Sequence, residues 1–176
     1  MALFQISRQL LDGYAGKNIV DICAYGYSDA GLSHCAHFVS HVLQLQFGYT
    51  CGRGGRGGRN VRVHEIFANC PQVGRFNDRP SEYCLIFVTK LSNVNIRRRT
   101  MKNVQKKHVG IYCNGTIWHY SNLRHRVVTQ RPAEFIHHYP NQTNGLFYGA
   151  FPADAAAIPW IPLAEEPRLA DERALA

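Results

Sequence analysis

Cys35, His108 and His119 are the residues whose types and settings point most directly to chemistry. Cys35 lies in Ser33-His34-Cys35-Ala36-His37-Phe38-Val39-Ser40-His41-Val42-Leu43. Apolar residues at 35, 38, 39, 42 and 43 make the stripe of an amphipathic helix. His37, Ser40, His41 and Gln44 fill its other face. With Ser33 as N-cap and Gly48 as stop, Cys35 falls in the first turn. Free backbone N–H groups and the helix dipole there favour a thiolate. The competing reading of Cys35 is a small residue on a core-facing stripe.

The histidines belong to Lys107-His108-Val109-Gly110-Ile111-Tyr112-Cys113-Asn114-Gly115-Thr116-Ile117-Trp118-His119-Tyr120-Ser121. Alternating and β-branched residues flank Asn-Gly, a strong two-residue turn signal. In that register Cys113 faces Thr116 and Gly110 faces His119. His108 and His119 then share one face as a diagonal pair, with Gly110 leaving open space between them. Val109, Ile111, Trp118 and Tyr120 form the other face, suited to a core. Asn122 falls on the face away from the histidines.

A helix-opening cysteine followed by two histidines on one face of a hairpin resembles the NlpC superfamily of papain-like cysteine peptidases, which includes the CHAP amidases. The matching residues are Cys35, the strand His108-Val109-Gly110-Ile111-Tyr112, and His119. The likeness covers roughly residues 20–150. His-Cys-Ala-His-Phe-Val around the cysteine is also similar to the Asn-Cys-Glu-His-Phe-Val of lecithin:retinol acyltransferase-like proteins, although those place their histidines before the cysteine. The resemblance implies amide hydrolysis without a cofactor, most readily in a peptide stem of bacterial peptidoglycan. Cys35 attacks as a thiolate, and its backbone N–H serves the oxyanion. His108 acts as base and acid, and His119 orients it. An upstream tyrosine helps build the site in this family, which makes Tyr25 and Tyr27 candidates for substrate contact.

Composition narrows the partners. The 176 residues are 45% apolar and 18% charged, which fits a globular domain. No apolar run approaches the roughly 20 residues needed to span a bilayer. Met1 to Arg8 lacks the pattern of a signal peptide, so a cytoplasmic product, or one exported by a leaderless route, is expected. A secreted effector would in turn call for a protein inhibitor. Six scattered cysteines without Cys-x-x-Cys argue for buried reduced thiols, and no metal site is expected among the nine histidines.

Formal net charge is +8, unevenly spread. Residues 152–176 hold Asp154, Glu165, Glu166, Asp171 and Glu172 against Arg168 and Arg173, so the rest is strongly basic. Gly52-Arg53-Gly54-Gly55-Arg56-Gly57-Gly58-Arg59 and the acid-free run from Asn95 to Lys107 carry much of that charge. An anionic partner follows, a cell-wall polymer or nucleic acid, and Arg53 and Arg56 are candidates for steering an anionic substrate.

Around these residues the periodicities predict helices over 3–15, near 18–24 and over 63–70. Strands are predicted over 84–89, 125–130 and 146–151, with a short helix over 132–138. Helices first and strands later make an α+β fold, papain-like, with N-terminal helices packed on an antiparallel sheet. Residues 1–151 form one catalytic domain, and 152–176 an extended Pro- and Ala-rich acidic tail. The expected function is a Cys-His-His amide hydrolase. Thioester or lipid acyl transfer and a basic nucleic-acid-binding module are the alternatives.

Overall fold

A computed structural model describes residues 6–45, 47, 51 and 61–152. The helices predicted near the N-terminus are short. α1 spans Arg8–Asp12, with the Ser7 side chain accepting from the Leu10 N–H at its start. α2 spans Ile19–Ile22 and is closed by a reciprocal Asn18–Asp21 capping box. α3 spans Cys35–Val42 and α4 Val63–Asn69. Strands then follow: β1 Val73–Arg75, β2 Tyr83–Lys90, the small hairpin of β3 Val94–Asn95 and β4 Thr100–Met101, β5 Lys107–Cys113, β6 Thr116–Ser121 and β7 Arg126–Gln130. α5 Pro132–Phe135 and β8 Asn144–Gly149 complete the order. The fold is mixed α+β, as the order of signals predicts.

One six-stranded sheet, in the order β1-β8-β2-β5-β6-β7, is antiparallel throughout. The Asn-Gly turn forms as its residue types dictate, with φ of 45° at Asn114 and 85° at Gly115. Those positive φ values match the right-handed twist of a two-residue hairpin. Cys113 pairs with Thr116 and Ile111 with Trp118, the register expected from the turn.

Strand alternation divides the core into two layers. On one face Leu85, Phe87, Val109, Ile111, Trp118, Tyr120 and Phe147 pack with Phe38, Val39, Val42 and Cys35 of α3 and with Ile66 and Phe67 of α4. On the other, Ile86, Val88, Tyr112, Ile117 and Tyr148 pack with Phe135 of α5 and Tyr139. The space expected beside Gly110 is filled. A Cβ there would sit 2.7 Å from Ile117 Cγ2 and 3.1 Å from His119 Cβ, so the glycine permits close packing of the hairpin.

β1 and the β3–β4 hairpin have no counterpart among the predicted elements. Arg97, Arg98 and Arg99 stand exposed between β3 and β4, as a solvated basic turn. No described helix is long and apolar enough to cross a membrane.

Candidate functional site

Cys35 is the first residue of α3, but its helix cap differs from expectation. His34, not Ser33, occupies the N-cap position. The His34 backbone N–H donates to Asn122 Oδ1 at 2.9 Å, and Asn122 Nδ2 donates to Ser33 Oγ at 3.0 Å. Ser33 Oγ lies 3.5 Å from Cys35 Sγ. Asn122, expected to be remote, therefore anchors the start of the cysteine helix from the turn after β6.

His108 and His119 do meet. His108 Nε2 lies 2.9 Å from His119 Nδ1, and His119 Nε2 lies 2.8 Å from Gln130 Oε1. With the Gln130 carbonyl oxygen as acceptor, His119 donates to it through Nε2 and accepts from His108 through Nδ1. His138 stacks on His108 with ring centroids 4.0 Å apart, and Phe135 lies 5.1 Å from His119. This cluster occupies the α5 side of the sheet.

Cys35 occupies the opposite side, so the expected Cys35–His108–His119 triad is not assembled. The reason is the apolar stripe that carries Cys35. Packing Phe38, Val39 and Val42 onto Val109, Ile111, Trp118 and Tyr120 buries apolar surface against apolar surface. In a strand, the neighbours of Val109 and Ile111 must point the other way. His108 is thus separated from Cys35 by the thickness of the sheet.

Burial holds the histidines of the α5 side neutral. It places His108 well below its ordinary range, with His138 and His119 adding to the effect. It pushes His119 down to about 3 and His138 to about 4. Unfolded histidines titrate near 6.5. Between those limits the unfolded chain binds more protons, so stability is fully present above pH 6.5 and is lost as pH falls toward 4. Each histidine contributes at most about 1.4 kcal/mol per pH unit in that window. Melting temperatures at pH 7.5, 6.0 and 5.0 should fall steadily, and His119→Gln should flatten the slope. Parallel pH profiles of the two proteins would refute the assignment.

The other candidates scatter. Tyr25 is 67% exposed, whereas Tyr27 is buried and meets the His34 and His37 rings edge-on at 5.3 and 4.8 Å. Arg53 and Arg56, proposed as substrate-steering groups, lie outside the described residues, as does the tail from 153 onward.

A second cluster stands where none was expected. His37 and His41, one helical turn apart on α3, lie on one side of the helix. That side faces protein: His37 is 1% exposed. His41 Nε2 lies 3.0 Å from His37 Nε2 and 3.3 Å from Cys51 Sγ. With Cys23, which follows α2, four potential donor atoms lie within 4.8 Å of one another. Burial lowers the His41 pKa, and it pushes His37 down to about 2 with the help of His34 and His41. Both imidazoles are therefore neutral at pH 7, the form that ligates a metal.

No metal site was expected, yet the structure brings together four donors that could hold an ion. His37-x-x-x-His41 is a chelating spacing on a helix, and it was the readable signal. Cys23 and Cys51 flank it at separations of 14 and 10 residues from the nearer histidine, outside any local motif.

Cys51 and His41 are also within nucleophile–base reach. A catalytic base, however, meets its nucleophile and its orienting partner through different ring nitrogens. Here Cys51 and His37 both approach His41 Nε2. Donors that converge on one point suit an ion, not a proton relay.

Compared with protein-family models, curated proteins and solved structures, the chain finds no match.

Proposed function

We propose that the protein is a metal-binding domain in which Cys23, His37, His41 and Cys51 hold one divalent ion of the zinc type. The observation that carries this reading is the convergence of four donor atoms from three segments within 4.8 Å. Two thiols and two imidazoles are a tetrahedral S2N2 set, which favours zinc over the oxygen-seeking magnesium and calcium. With zinc–nitrogen bonds of about 2.0–2.1 Å, tetrahedral geometry puts the two imidazole nitrogens roughly 3.3 Å apart. Their separation of 3.0 Å needs little adjustment. Binding would release the two thiol protons, and His41 would keep its proton on Nδ1. Four protein ligands leave no position for substrate, so the role is a structural cross-link between the end of α2, α3 and Cys51.

Cobalt(II) titration of the reduced protein tests this. One equivalent should bind with the d–d absorption of a tetrahedral site and a thiolate-to-cobalt charge-transfer band, and zinc should displace it. Absence of saturable binding, or a band that persists in the Cys23→Ser, Cys51→Ser double variant, would sink the proposal.

Amide hydrolysis is the second reading. Its support is the resemblance in Cys35 and His108–Tyr112, together with a His108–His119–Gln130 chain of the base-and-orienter kind. It requires a rearrangement that brings Cys35 to the face of His108. Turnover of peptidoglycan stem peptides, lost in both Cys35→Ala and His108→Ala, would put it first. Acyl transfer would draw on the same thiol and base.

A further inference from the structure

We infer that His34 is a positioning residue that sets the tautomer of His37 and aims its Nε2 lone pair at the metal; this rests on the metal reading above. His34 Nε2 lies 2.9 Å from the Asp29 backbone oxygen. A carbonyl oxygen only accepts, so His34 carries its proton on Nε2. His34 is 2% exposed, a setting that favours the neutral ring, so its Nδ1 is bare. That nitrogen lies 3.0 Å from His37 Nδ1. For the contact to be a hydrogen bond, His37 must donate through Nδ1. Its Nε2 is left with a lone pair, and this is the nitrogen that approaches His41.

Ligating histidines commonly donate their second N–H to a carboxylate, carbonyl or water, which fixes ring orientation and raises basicity. Here a second imidazole stands between the ligand and the carbonyl. His34 is itself held on several sides. Its backbone N–H is bound by Asn122, and its ring meets Tyr27 edge-on at 5.3 Å and Tyr120 at 5.8 Å. The ligand's orientation is therefore transmitted from the Asp29 loop through His34, although His34 touches no metal.

The test compares wild type, His34→Phe and His34→Asn, with cobalt(II) as the probe and a chromophoric chelator as competitor. His34→Phe keeps an aromatic ring but removes the acceptor. It should bind cobalt about 10–100-fold more weakly, the usual cost of losing such a partner, with a shifted d–d spectrum. His34→Asn places Oδ1 near the position of Nδ1 and should recover most of the affinity and the original spectrum.

Equal affinity in wild type and His34→Phe would overturn the inference and leave the metal site standing. So would Phe and Asn variants that are equally weak, since the ring and not its acceptor would then matter. No cobalt binding by wild type would instead remove the metal reading itself. Should His34→Phe fail to fold, imidazole nitrogen NMR of the wild-type protein decides the matter. Protons on His34 Nε2 and His37 Nδ1 are expected, and the reverse pattern at His37 would overturn the inference.

Discussion

Removing the metal with EDTA should lower the melting temperature of the zinc-loaded protein by roughly 8–16 °C. The size follows from linkage. An ion present at 1,000 times its dissociation constant stabilises the folded state by about 4 kcal/mol. In a chain of this length each kcal/mol shifts the melting temperature by about 2–4 °C. The effect should be large here because the proposed ligands come from three segments with little other regular structure. α2 has four residues and α3 eight. Cys23→Ser and Cys51→Ser should each melt near the EDTA-treated wild type and respond little to further chelation. A melting temperature that EDTA leaves unchanged, in protein shown to have lost one equivalent of zinc, would rule out a stabilising role for the ion.

Trp118→Ala should be the most damaging single core substitution on β6. Trp118 is fully buried, heads the largest buried side chains, and pairs across the hairpin with Ile111. Its ring also carries the Arg8 guanidinium 5.5 Å from its centroid, tying α1 to the sheet. Truncating a buried tryptophan costs about 3–5 kcal/mol, through lost apolar burial and the cavity left behind. Trp118→Phe should cost far less. It keeps most of the packing and removes an indole N–H that has no hydrogen-bond partner among the described residues. Urea unfolding followed by circular dichroism measures both variants. A loss under about 1 kcal/mol for Trp118→Ala would mean that the α3 side of the sheet is not the principal core.

Much of the sheet was legible because its signals are local. Asn114-Gly115 fixes the turn, the turn fixes the register, and the register puts His108 and His119 side by side. β2 reads as a buried strand because Cys84-Leu85-Ile86-Phe87-Val88 is apolar on both faces, and both faces are in fact covered. β1 was not legible, since three residues show no period and the strand exists only because β8 lies beside it.

The site failed for a physical reason also present in the sequence. Cys35 shares its stripe with Phe38, Val39 and Val42, and the apolar face of the hairpin is the one without histidines. Apolar packing therefore draws Cys35 away from His108, whatever chemistry their motifs resemble. The side of α3 carrying His37 and His41 reads as solvent-facing by polarity. It is covered because Tyr27, Cys23 and Cys51 close over it, and those contacts are set by loops with no periodicity to betray them.

The strand order has a bearing on how the chain is made. β8 ends at Gly149 yet lies inside the sheet, between β1 and β2. Until it leaves the ribosome, β2 pairs on one side only and β1 has no described strand partner. Without β8 the sheet thus presents an open apolar edge along β2. A Cβ at Gly149 would lie 2.5 Å from Cys70 Sγ, so β8 packs closely against the end of α4 only because this residue has no side chain. A chain cut before Asn144 would leave that edge of β2 bare, and pairing with β8 is what covers it.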